Sequence, residues 1–205
     1  MLGRSGISRQ VRELTPILVV GAGGHGRSVL EALQLLGRHS FYAFADDGTP
    51  EGTQVLGAPV VGSTKQLASL RSRFPQAVVA IGDNRRRQEL FTQLLSLEFA
   101  LAVVVHPRAF VSPTAILGPG TVVMVNATVG TESRLGAGVI VNSGAVVDHH
   151  AVVEDFGHLG VNAAMAGGSV LGKLAWMQAG SSLGYGVVVP PGTRLRPGQA
   201  MEKAG

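Results

Sequence analysis

Histidine is the side chain best suited to moving protons near neutral pH, and the chain carries six: His25, His39, His106, His149, His150 and His158. His149 and His150 follow Asp148 in an otherwise apolar stretch, so that triplet is the first candidate for general acid–base work. His39 reads as an incidental loop residue, and His106, which precedes Pro107 where the pattern of the chain changes, as a structural hydrogen-bonding one. His25 sits inside Gly21-Ala22-Gly23-Gly24-His25-Gly26. That G-x-G-x-x-G spacing, after a strand and opening a helix, can hold a phosphate on backbone amides. Asp46 and Asp47 end the next strand, Asp46 lying 20 residues beyond Gly26, where a carboxylate can accept from a ribose or base edge. Gly82-Asp83-Asn84-Arg85 is a second turn of this kind, offering amides and Arg85 to phosphates. Arg86 and Arg87 read as solvated neighbours.

Other chemistries are disfavoured by what the sequence lacks. With no cysteine there is no disulfide scaffold, thiolate zinc site or cysteine nucleophile. The H-x-x-x-x-H pair by which γ-type carbonic anhydrases hold zinc does not occur, so no metal is expected. The 17 Lys and Arg against 13 Asp and Glu do not track one face, and Tyr42, Tyr185 and Trp176 form no stacking platform, so no nucleic-acid partner is expected. Residues 1–14, with Arg4, Arg9 and Arg12, read as an N-terminal extension without an apolar signal core. No stretch approaches the length of a membrane span, and a soluble, cytoplasmic protein with no membrane partner is expected.

Residues 15–105 alternate strand and helix patterns. Ile17–Val20, Phe41–Ala45, Val78–Ile81 and Leu101–Val105 read as strands. Val29, Leu33 and Leu36 share one face of a helix that stops at Gly37. Leu90, Phe91, Leu94 and Leu95 share a face of another. Ser63 or Thr64 caps a short helix ending before Pro75. These elements imply a small, mainly parallel α/β sheet, too short to hold a redox dinucleotide.

From Val111 the period changes to six. An aliphatic residue or methionine recurs at Val111, Leu117, Val123, Val129, Leu135, Val141, Val147, Val153, Leu159, Met165, Leu171, Met177, Leu183, Val189 and Leu195 without an insertion. The residue two before each hit from Leu117 onward is small or β-branched, and glycine often follows the hit. Such a hexapeptide period marks a parallel β-helix, here of about five coils of 18 residues over 106–198, with 199–205 as a short C-terminal tail. Residues 18 apart then stack. Around His149 and His150 they are Thr131 and Glu132 one coil earlier and Gly167 and Gly168 one coil later, so room opens above the histidines. His158 is half a coil from His149 and meets it only across a neighbouring subunit. Two outward stripes are largely apolar: Ile116, Arg134, Val152, Val170, Val188, and Val122, Ile140, His158, Trp176, Arg194. Apolar stripes of this kind predict a closed homo-oligomer, most simply a trimer.

The order of the Gly-Ala-Gly-Gly-His-Gly turn, Asp46-Asp47, Ile81-Gly82-Asp83-Asn84, His106-Pro107 and Val141-Asn142-Ser143-Gly144-Ala145-Val146-Val147-Asp148-His149 resembles the NeuD/PglD sugar O-/N-acetyltransferases over about residues 15–195. The resemblance implies that the β-helix is left-handed and that the protein is a homotrimer using acetyl-CoA as co-substrate. It implies that 15–105 holds a nucleotide sugar, in N-acetylating members a UDP- or GDP-linked 4-amino-4,6-dideoxy sugar. By matching position His149 is the general base, supported by Asn142 and Asp148. His158, Gly167 and Trp176 fall to acetyl-CoA. Gly21, Gly23, Gly24, His25, Asp46, Asp47, Asn84 and Arg85 fall to the nucleotide sugar. O-acetylation of a sugar hydroxyl, or nucleotide-sugar binding without catalysis, are the alternatives. Relatives commonly carry an acid after the base where this chain has His150, leaving Asp148, Glu132 or Glu154 to orient it. They also finish with a longer cap containing Gly-x-Pro-Ala.

Overall fold

A computed structural model describes residues 14–203; the arginines of the N-terminal extension lie outside them. The first part of the chain runs β1 (Thr15–Val20), α1 (Gly24–Leu36), β2 (His39–Ala45), a hairpin of β3 (Gln54–Val55) and β4 (Ala58–Pro59), α2 (Leu67–Leu70), β5 (Gln76–Val79), α3 (Asn84–Ser96) and β6 (Ala100–Leu101). The larger sheet is parallel, in the order β2-β1-β5-β6. The central strand β1 is buried on both faces at Ile17, Leu18, Val19 and Val20, as an apolar run in a covered parallel sheet must be. Helix α1 turns Val29, Leu30 and Leu33 inward and stops at Gly37, whose φ of 60° closes the last turn. Helix α3 is capped by the Asp83 carboxylate, which accepts from the Arg86 amide at 2.8 Å.

The expected fourth strand, Leu101–Val105, is in fact two. Ala100–Leu101 completes the first sheet, whereas Val104–Val105 pairs with Val122–Val123 and begins the coils. At the other end, Ala200–Met201 pairs with Ser182–Leu183 and extends the coils into the expected tail. In between, two-residue rungs 18 apart stack into parallel sheets of six, six and five strands, a three-sided β-solenoid.

Its interior follows directly from the sequence period. The hits stack in columns such as Val123, Val141, Leu159, Met177 and Leu195, all excluded from solvent. Where the small corner residue is serine, its hydroxyl is satisfied inside. Ser133, Ser169 and Ser181 each donate to the carbonyl three residues earlier, at 2.6–2.7 Å. Glycines after the hit are needed because coils approach closely there: a Cβ on Gly118 would strike the backbone of Gly136. Every sixth residue from Gly120 to Gly198 has positive φ, and among the non-glycines that adopt it are Glu132 (55°) and His150 (57°).

The two parts share their cores. Val104, Val122 and Met124 pack in one apolar cluster with Ile17, Val29, Leu30 and Leu33. Phe91 of α3 meets Phe156 of the solenoid edge-on at 5.2 Å. This corrects the expectation for the outward stripes. Val122 and Ile140 are fully buried, and the chain's own first part covers this side at Val122. Ile116 and Val188, 57% and 65% exposed, remain the open end residues of the other stripe.

Candidate active site

Asp148, His149 and His150 form one turn of the solenoid, immediately after the buried Val147. The Asp148 carboxylate accepts from the His149 amide at 2.7 Å, which fixes the start of the turn. The His149 ring lies over Gly167 of the next coil; a Cβ there would collide with the ring. So the space predicted above the histidines exists, and His149 fills it. Because Gly167 has no side chain, Tyr185 of the following coil reaches the same imidazole, ring centres 6.4 Å apart. His149 Nδ1 faces His150 Nδ1 at 3.0 Å, and His150 Nε2 faces Glu132 Oε2 at 3.0 Å. Of the acids expected beside the base, Glu154 turns away to accept from the Lys173 amide. Asp148 Oδ2 stands 3.8 Å from His149 Nε2, too far for a hydrogen bond. Among the described residues no three ligating side chains form a metal site.

His158 and Trp176 lie on another side of the solenoid, against the first part of the chain. Their rings stack in parallel, 5.2 Å apart, with the Arg194 guanidinium on the far face of Trp176 at 4.3 Å. His158 Nδ1 faces the Gly82 carbonyl at 3.2 Å. Burial, reinforced by Arg87 and His25, pushes the His158 pKa down to about 3. Burial and then Arg87 push His25 down to about 4. Both rings are therefore neutral at physiological pH. Nε2 of each, and the Trp176 Nε1, are buried without a partner among the described residues. Asn142 occupies a different turn from His149, its side chain accepting from the Ser143 amide at 2.8 Å. That turn borders a groove of about 550 Å³ lined by Ser28, Glu31, His106, Met124 and Ser143. Within one chain, then, Gly167 joins His149, while Asn142, His158 and Trp176 do not.

The glycine-rich turn is built by contact and by charge. A Cβ on Gly26 would sit on the Gly21 carbonyl, so only glycine lets α1 start so close to β1. Gly23 and Gly24 face open space, and Gly23 has an ordinary φ of −70°; neither packing nor conformation demands glycine there. Asp46 accepts from the amides of Ala22, Gly48 and Thr49 at 2.7–2.9 Å. Its burial alone would raise its pKa, but these hydrogen bonds outweigh it and the pKa falls. Asp47 holds the amide and hydroxyl of Thr64 and pairs with Arg86 at 3.4 Å; its pKa is lowered in the same way, hydrogen bonds overcoming burial. Arg85 is exposed at the start of α3. Asn84 instead clips the two parts together, donating to the Leu174 and Ala175 carbonyls at 2.8 and 3.2 Å.

Arg87 departs furthest from expectation. Read as solvated, it is 1% exposed and spends its guanidinium donors on Gly138, Ile81, Gly82 and Phe156 carbonyls and on Asn84 Oδ1, at 2.7–3.2 Å. Burial lowers its pKa to about 9 against the pull of Asp83, so it stays charged at neutral pH. A signal was present: Arg87 lies three, four and seven residues before Leu90, Phe91 and Leu94, on the buried face of α3.

A small parallel α/β unit joined to a hexapeptide solenoid, with a histidine held at an exposed turn, is the arrangement that the sequence resemblance implied for an acyl-transferring protein. The comparisons with known proteins specify it. The PglD N-terminal domain family matches residues 16–94. The acetyltransferase domain of PglB from Neisseria gonorrhoeae, in complex with acetyl coenzyme A, is 35% identical, with 93% of this chain and 97% of that one covered and a TM-score of 0.77. A histidine-to-alanine variant of GDP-perosamine N-acetyltransferase from Caulobacter crescentus, in complex with CoA and GDP-perosamine, is 34% identical over 90% of each chain, with a TM-score of 0.80. No curated protein sequence matches significantly. The chain belongs to the NeuD/PglD-type family of sugar acetyltransferases.

Proposed function

We propose that this protein transfers the acetyl group of acetyl-CoA to the amino group of a UDP- or GDP-linked 4-amino-4,6-dideoxy sugar, with His149 as general base. The observation that carries this reading is His149, held over Gly167 at an exposed turn in a chain whose relatives bind acetyl coenzyme A, or CoA with GDP-perosamine. The unprotonated amine attacks the thioester carbonyl, forming the C–N bond. His149 takes the amine proton, the C–S bond breaks, and the thiolate leaves to be protonated as CoA. No acyl-enzyme is required.

The coenzyme lies between chains of a trimer in this reading, Gly167 and His149 of one subunit facing the His158 and Trp176 side of its neighbour. The groove beside Asn142 gives a neighbour's histidine turn a place to approach. The nucleotide is held at the α1 turn, where Gly23 and Gly24 leave amides open and Arg85 is free to reach phosphate. Asp46 and Asp47, already bonded to this turn and its neighbour, shape it and keep spare lone pairs for the nucleoside. His25 and Asn84 support it from beneath.

The test is CoA release by purified protein given acetyl-CoA and UDP- or GDP-linked sugars bearing either an amine or a hydroxyl at the acceptor carbon. Release with the amine alone is expected. Release with the hydroxyl alone would make the protein an O-acetyltransferase, and binding without release would make it non-catalytic.

A further inference from the structure

The turn that carries the base holds a second imidazole, and the bonding between the two decides which nitrogen of His149 is free. Glu132, one coil earlier, faces His150 Nε2 at 3.0 Å. An ionised carboxylate can only accept, so His150 Nε2 carries the hydrogen. A neutral imidazole has one N–H, which makes His150 Nδ1 an acceptor. It faces His149 Nδ1 at 3.0 Å, so His149 Nδ1 must donate and His149 Nε2 is left with its lone pair. The opposite tautomer of His149 would set two Nδ1 lone pairs against each other at 3.0 Å, and Asp148, 3.8 Å from Nε2, is too far to offset that with a hydrogen bond.

We infer that Glu132 is a positioning residue which, through His150, fixes the tautomers of both rings and presents His149 Nε2 as the base. The inference rests on the proposed role of His149. The solenoid's repeat sets up the pairing: Glu132 and His150 occupy equivalent places in successive coils, with the left-handed φ of 55° and 57° common to every such turn, which brings both side chains to the same edge. The Glu132 amide is itself held by Thr114 Oγ1 at 3.0 Å. When His149 takes the amine proton at Nε2, its Nδ1–H still donates to His150, and the balancing negative charge is Glu132, one ring further on. The other charged groups at this edge are Asp148, whose Oδ1 is bound to the His149 amide, and Arg134, which lines the same crevice as Glu132 and His150.

Glu132 and His150 side chains are each 60% exposed, so their pairing adds little to stability; its effect belongs in kcat. Glu132→Leu removes the acceptor. It is expected to lower kcat about 10–100-fold, a part of the ~10²–10⁴ that a general base contributes, with KM and the melting midpoint unchanged. In a His150→Glu background a carboxylate would accept from His149 Nδ1 directly; adding Glu132→Leu there should change kcat less than about threefold. A role for Glu132 in the fold alone would lower both backgrounds alike. Nitrogen-15 NMR of the histidine rings reads the tautomers without turnover: His149 protonated at Nδ1 in the wild type, and a mixture in Glu132→Leu. Wild-type His149 protonated at Nε2, or a Glu132→Leu kcat within about twofold of wild type, overturns the relay. Full turnover by His149→Ala would instead overturn the base on which the relay rests, leaving the tautomer measurement to stand or fall by itself.

Discussion

Replacing Arg87 by methionine keeps a long apolar stem and removes every polar contact of the guanidinium. Four main-chain carbonyls, two on each part of the chain, then lose this donor, Gly82 still facing His158 Nδ1 while Gly138, Ile81 and Phe156 lose the partner seen here. Buried acceptors left bare cost about 1–3 kcal/mol each. Against this, the several kcal/mol needed to bury the guanidinium are recovered. The net loss is about 3 kcal/mol, within the range for breaking a buried charged network. At about 2–4 °C per kcal/mol for a chain of this size, the melting midpoint falls by about 6–12 °C. Trp176 is the sole tryptophan and follows the Leu174 and Ala175 carbonyls that Asn84 holds. Its fluorescence therefore reports the seam itself. Lysine at position 87 recovers less than half the loss, because three rotating donors cannot reproduce the planar fork. A midpoint for Arg87→Met within about 2 °C of wild type at pH 7.5 would show that the seam does not depend on this residue.

Gly167→Ala drives a methyl group into the His149 ring at a backbone position without left-handed φ; kcat should fall at least tenfold or so while circular dichroism and melting stay near wild type. Gly26→Ala meets backbone instead, at the Gly21 carbonyl, and should lower the melting midpoint markedly, read by the same thermal scan. Stability should also depend on pH through His25 and His158. Both stay neutral in the folded chain down to about 4 and about 3, whereas in the unfolded chain they titrate near 6.5. Their contribution is complete above pH 6.5 and is lost as the pH falls toward the folded values, at about 1.4 kcal/mol per unit for each ring. Urea midpoints between pH 7 and 4.5 should decline, and His158→Gln should make the decline shallower.

Much of this architecture was legible because the solenoid repeats its own constraint. Each hit such as Val141 or Leu159 meets its counterpart 18 residues on, and one register predicted the stacking, the room above His149 and the separation of His149 from His158. What covered the outward stripe was not legible. Val122 and Ile140 announce burial but not the partner, and for Val122 the partner is the same chain. Arg87 hid within Arg85-Arg86-Arg87, since a run of charge normally faces water; only its phase with Leu90, Phe91 and Leu94 marked it as buried. Tyr185 was two coils from His149, a distance bridged only because Gly167 between them lacks a side chain. The left-handed residue at every sixth position escaped notice because these turns accept exposed asparagine, glutamate and histidine there as well as glycine. That is why the Glu132–His150 pairing became visible only in three dimensions.

The most direct test of the account is single-turnover CoA release by His149→Ala with saturating acetyl-CoA and an amino-sugar nucleotide that the wild type accepts. The rate should fall about 10²–10⁴-fold with the melting midpoint and assembly size unchanged. A rate within about threefold of wild type would remove His149 from the reaction.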